Sequence, residues 1–196
     1  MTVPPHILYL VETSQAVYER NRDRHDIWEE AGLRETANAV MQAASSLSQP
    51  TGEGLLTAAR ERALALQTAD GRRIGDLQSY RFGGWIIIDA LLEKMIPDVA
   101  YDKAREVCST ASDGRTQQEA MDLIEGAWAA YWAVDTTVPR LGNAGPRFLA
   151  DVARQLANSQ FKRKVGEPKY ATESYKQGVR AVVSAIDELI GEEPDV

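Results

Sequence analysis

Along most of the chain, apolar residues return every three or four positions, the spacing that gathers them on one side of an α-helix. No run alternates long enough to predict a sheet, and only Trp85 to Ile88 favours extended backbone. From Pro5 to Glu19, the residues Ile7, Leu10, Val11, Ser14, Val17 and Tyr18 keep the helical spacing. The preceding proline pair suits a helix start, where a missing N–H costs nothing. The stretch Glu19 to Glu30 mixes charges of both signs and reads as a solvated helical face. Leu33, Ala37, Val40, Met41, Ala44 and Leu47 predict a second helix ending before Ser48, and Gly54 to Gln67 a third, closed by the Asp70-Gly71 turn.

The most apolar stretch, Arg73 to Pro97, predicts a central helix at about residues 73–96, with Ile74, Leu77, Gly84, Ile88, Leu91 and Met95 on one side. Pro97 should stop it. The Gly83-Gly84 pair signals a bend, a closely packed neighbour or a late start. Asp98 is then expected to cap a further helix with Tyr101, Ala104, Val107 and Cys108 inward. Thr116-Gln117-Gln118-Glu119 is a capping box opening a helix to about Val134, followed by a loop from Pro139 to Pro146. Pro146 opens a short helix. Phe161 to Tyr170 reads as a loop. Thr172 starts a last helix that ends at Gly191. The expectation is an all-α single-domain bundle of about seven or eight helices over residues 1–191, with 192–196 a flexible acidic tail. No fixed-period repeat of the solenoid type is evident along it.

Composition narrows the function classes. The chain of 196 residues is 44% apolar and 26% charged, which suits a globular protein with a substantial core. No stretch has the roughly 20 apolar residues that cross a bilayer. The segment Met1 to His6 lacks a basic secretory n-region, so the reading is cytoplasmic with no membrane partner. A net charge of −7 disfavours broad binding to phosphate backbones. One cysteine, Cys108, excludes an internal disulfide and a Cys-rich zinc site. On its apolar face it reads as a small hydrophobe.

The chemical leads are few. The run Arg20-Asn21-Arg22-Asp23-Arg24-His25 places an arginine, a polar residue and, shortly after, a histidine. This resembles the signature of the HEPN ribonucleases. The resemblance implies a small helical protein, dimeric, in which Arg20, Asn21 and His25 would sit at a dimer cleft and cleave RNA without metal. The histidine would exchange a proton with the 2′-hydroxyl while the arginine steadies the phosphate. The likeness covers six residues, and in that family the motif lies late in the domain rather than near its start.

Asp89 with Glu93, and Asp122 with Glu125, stand one helical turn apart and are the candidate Mg²⁺ ligands of a carboxylate-dependent hydrolase. Asp89, within Ile86-Ile87-Ile88-Asp89-Ala90-Leu91, needs a partner if buried. Lys162, Arg163, Lys164 and Lys169 offer a loop contact for an anion or acidic partner. Trp128, Tyr131 and Trp132 cluster within two turns and are expected in the core. With no Gly-rich phosphate loop, Gly-x-Ser-x-Gly or His-Glu-x-x-His in the sequence, the default reading is a non-enzymatic, cofactor-free helical interaction or regulatory module that binds a protein partner, with a homodimer compatible. The alternatives are the ribonuclease, with RNA as substrate, and the carboxylate hydrolase.

Overall fold

A computed structural model describes residues 3–66, 72–141, 145–156, 160–161 and 169–191; at 138–141, 156, 160–161 and 169–170 only the backbone is described. The fold is all-α. Among the described residues there are seven helices: α1 (Pro5–Asn21), α2 (Ile27–Ser46), α3 (Gly52–Ala63), α4 (Leu77–Thr110), α5 (Gln117–Leu141), α6 (Pro146–Leu156) and α7 (Glu173–Ile190). Two-residue strands, β1 (Gln160–Phe161) and β2 (Lys169–Tyr170), pair antiparallel within the stretch expected to be a loop.

Local chemistry explains most of the helix ends. The Thr51 hydroxyl accepts from the N–H of Gly54, and the Thr172 hydroxyl from that of Tyr175 at 3.2 Å. The capping box forms as expected: the Glu119 carboxylate accepts from the Thr116 N–H at 2.8 Å, and the Thr116 hydroxyl from the Glu119 N–H at 3.3 Å. Gly191 ends α7 with φ of 71°, a left-handed conformation that glycine adopts without strain.

Three expectations fail. The charged run from Glu19 to Glu30 is not one helical face. α1 stops at Asn21, and Asp26 caps a new helix by accepting from the N–H groups of Trp28 and Glu29. Pro97 does not end α4, which continues to Thr110. Its neighbours Ile96 and Ala100 are fully buried, and that packing outweighs the hydrogen bond proline removes. α5 likewise runs through Pro139 into the stretch expected to be a loop.

The chain divides into two compact units, residues 1–94 and 95–194. The first is built from α1, α2, α3 and α4 up to Lys94; the second from α4 after Lys94, with α5, α6 and α7. Ile7, Leu33, Val40, Leu55, Tyr80 and Ile88 form the centre of the first core. Ala104, Ala127, Val134, Ala153, Val182 and Ile186 form that of the second.

The two units share one construction. In the first, a β-carbon added to Gly32 on α2 would run into the Tyr80 carbonyl on α4, and one added to Gly83 would run into the Glu29 carbonyl. Gly83-Gly84 is thus a site of close approach, not a late start. In the second unit, a β-carbon on Gly126 would strike the Tyr175 carbonyl, and one on Gly178 the Leu123 carbonyl. In every instance the carbonyl belongs to the residue three before the opposite glycine. Gly32 and Gly126 lie 94 positions apart, Gly83 and Gly178 lie 95 apart.

The buried positions follow the same displacement. Leu33, Thr36 and Val40 of α2 correspond to Ala127, Ala130 and Val134 of α5. Leu55, Leu56 and Ala59 of α3 correspond to Leu149, Ala150 and Ala153 of α6. Tyr80, Ile87, Ile88 and Leu91 correspond to Tyr175, Val182, Val183 and Ile186. Even residues survive the comparison: Ser79-Tyr80-Arg81-Phe82-Gly83 against Ser174-Tyr175-Lys176-Gln177-Gly178. The chain therefore carries a three-helix motif twice, α2, α3 and the start of α4 against α5, α6 and α7, which the absence of a short-period repeat did not reveal.

A candidate interaction face on the second unit

An aromatic cluster occupies one side of the second unit. Tyr101 on α4 and Trp128, Tyr131 and Trp132 on α5 meet mostly edge to face. Their ring centroids are 5.8 Å apart for Tyr101 and Trp128, 5.5 Å for Tyr101 and Tyr131, and 5.6 Å for Trp128 and Tyr131. Trp132 lies tilted against Tyr131 at 5.0 Å. Helical periodicity groups the three α5 residues, because positions three and four apart share a face, and α4 adds Tyr101.

The expected burial holds only in part. Trp128 and Tyr131 are half-buried, but Trp132 is 52% exposed and Tyr101 40% exposed. The Trp128 indole N–H, directed inward, donates to the Cys108 sulfur at 2.9 Å. Cys108 is a free, half-buried thiol and serves here as an acceptor.

The cluster is flanked by charge. Asp98 lies one turn before Tyr101, and Asp135 one turn after Tyr131 and Trp132. Burial, and then the nearby Asp135 carboxylate, raise the Tyr131 phenol above its ordinary pKa, with Tyr101 and Asp98 adding to the shift. The Arg105 guanidinium carbon stands 6.0 Å from the centre of the Tyr101 ring.

The first unit shows what the scaffold itself requires. Trp128, Tyr131 and Trp132 correspond to Arg34, Ala37 and Asn38. Asn38 and Trp132 are both exposed, so the shared motif folds without an aromatic residue at that place. Periodicity places Tyr101 on the inward face of its helix, so the sequence does not join Tyr101, Asp98 and Arg105 to the aromatic run of α5. The signal in the sequence is the displacement of 94 residues, at which three aromatic residues of α5 stand opposite non-aromatic ones of α2.

Arg20 is exposed in the last turn of α1, and His25 is exposed in the connection to α2. Asn21 is committed locally: its amide donates to the Val17 carbonyl at 2.8 Å, and its oxygen accepts from Arg24 at 3.3 Å.

Asp89 faces solvent, Glu93 is half-buried and Glu125 is exposed. Asp122 is 3% exposed and accepts from the Gln118 amide at 2.8 Å and the Thr172 hydroxyl at 2.7 Å, which fixes the start of α7. Among the described residues no group of three or more His, Cys, Asp or Glu could hold a metal ion. Lys162, Arg163 and Lys164 lie outside the described residues, and of Lys169 only the backbone is described.

A hollow between α6 and α7 is lined by Arg147, Asp151, Arg154, Asp187 and Glu188. Arg154 bridges Asp151 and Asp187 there, so its charge is met within the hollow. No helix among the described residues is long and apolar enough to cross a membrane. Family models, curated proteins and solved structures yield no match to the chain.

Proposed function

We propose that this chain is a helical interaction module that binds a protein partner on the α4–α5 aromatic face of its second unit. The observation that supports the reading is the half-exposed Trp132 at a position where the same motif in the first unit carries Asn38. Large aromatic side chains left partly in water contribute less to the core than buried ones, while they supply rigid contact area at low entropic cost when a partner covers them. The rim around them is polar, as in protein interfaces that form and dissociate.

The test places a photo-crosslinking amino acid at position 132 in the full chain. A discrete protein adduct, absent when the same group is placed at the exposed Asp113, supports the module. Its absence in cells that make the protein overturns it.

A further inference from the structure

Resting on that reading, we infer that the occupant of the face is an arginine-bearing segment of the partner protein, held by its guanidinium group between the aromatic rings and the flanking carboxylates. The geometry already shows the mode once within the chain, where Arg105 stands over Tyr101. Trp132, the most exposed ring of the cluster, has the more electron-rich π-system and is the better partner for a cation. Asp135, three residues further on, lies on the same side of α5 as Trp132.

An arginine entering from outside thus meets a ring for stacking and a carboxylate for its N–H groups. Its planar fork suits both better than the compact ammonium of lysine does. An acidic or purely apolar segment would leave Asp98 and Asp135 facing an unfavourable or mute surface. Charge also favours a basic occupant over long range, since the chain carries a net −7. Among the described residues, Arg105 stands over Tyr101, whereas Lys103 is paired with Glu106 at 2.9 Å.

The experiment titrates a fluorescein-labelled hexa-arginine peptide into the full-length protein at physiological salt, with hexa-lysine and an uncharged amphipathic helical peptide as companions. Saturable binding of hexa-arginine is expected, weaker for hexa-lysine. Trp132→Ala should weaken it about tenfold, and Asp135→Asn severalfold, while Asp113→Asn leaves it unchanged. Trp132 is exposed, so the variant should keep the wild-type circular dichroism; Trp132→Gln is the substitute if it does not.

Equal binding by wild type and Trp132→Ala would reduce the effect to general attraction by an acidic surface and overturn the inference. So would no binding of hexa-arginine. Two further outcomes overturn the arginine inference while leaving the interaction module standing. One is tighter, Trp132-dependent binding of the uncharged peptide. The other is a dimer, seen by sedimentation, that Trp132→Ala dissociates.

Discussion

Gly126 and Gly178 lie where α5 and α7 cross, each against the other helix's backbone: a β-carbon on either would overlap a carbonyl, that of Tyr175 or that of Leu123. Helices this close exchange van der Waals contact along both backbones, and no side chain can be moved aside to make room. The same reciprocal contact joins Gly32 and Gly83 in the first unit. In the second unit the Gly126–Gly178 contact fixes α5, which carries most of the aromatic face, against α7.

Gly126→Ala should therefore destabilise the protein, although alanine is the better helix former by roughly 1 kcal/mol. Overpacking against backbone costs more than that preference gains, and a net loss of about 2–3 kcal/mol is expected. Gly54→Ala is the control. Its new methyl group would meet the Leu47 and Thr51 side chains at 3.2 and 3.3 Å, and these can yield. Urea unfolding of the two variants should show a large fall in midpoint for the first and little change for the second.

Much of the fold was legible because helical spacing is a strong signal wherever one face is buried. Thr116-Glu119 and Thr172 could be read directly, since a capping side chain acts on backbone only three residues away. Pro97 and Pro139 could not. Local rules forbid proline inside a helix, and at Pro97 the burial of Ile96 and Ala100 overrides them. The aromatic face was half legible: spacing grouped Trp128, Tyr131 and Trp132, but periodicity cannot tell an inward face from an outward one on an apolar helix. Asp89 and Asp122 exchanged roles on the same ground. The carboxylate amid isoleucines faces water, and the one in an ordinary amphipathic pattern is buried.

Asp122 and Thr172 yield a second prediction. The Thr172 hydroxyl accepts from the Tyr175 N–H and donates to the buried carboxylate, so Thr172→Val removes a helix cap and a donor together. Loss of about 2–3 kcal/mol is expected, because a buried carboxylate oxygen then loses a partner it cannot replace with water. Thr172→Ser keeps the hydroxyl and should cost less than about 1 kcal/mol. Chemical denaturation of both variants decides the point, and equal losses would contradict it.

The capping box makes stability depend on acid pH. The hydroxyl of Thr116, followed by its N–H, holds the Glu119 carboxyl below its ordinary value of 4.5. A depressed folded value means that the charged cap stabilises fully above the unfolded pKa and loses this as pH falls through the folded one. Glu119→Gln keeps the cap geometry without the charge. Wild type should melt higher than this variant at pH 7, and the difference should shrink below pH 4.5 and vanish once Glu119 is protonated in the folded state. A difference that stays constant from pH 7 to pH 3 would assign the effect to geometry alone.

His25 provides the last prediction, one that separates the interaction module from the ribonuclease alternative. It is exposed in the connection between α1 and α2, next to Arg24, whose guanidinium pairs with Glu29 at 2.5 Å and also stands 6.0 Å from the centre of the Phe82 ring. Asn21 is engaged with Val17 and Arg24, and so does not reach outward as a free polar group. His25→Ala should change stability by less than about 0.5 kcal/mol, as for other exposed positions without packed neighbours. Purified wild type and variant should both leave a single-stranded RNA intact in the presence of a metal chelator. Cleavage by wild type that His25→Ala abolishes, with the melting temperature unchanged, would instead place the chemistry at Arg20 and His25 and make the first unit the working part of the chain.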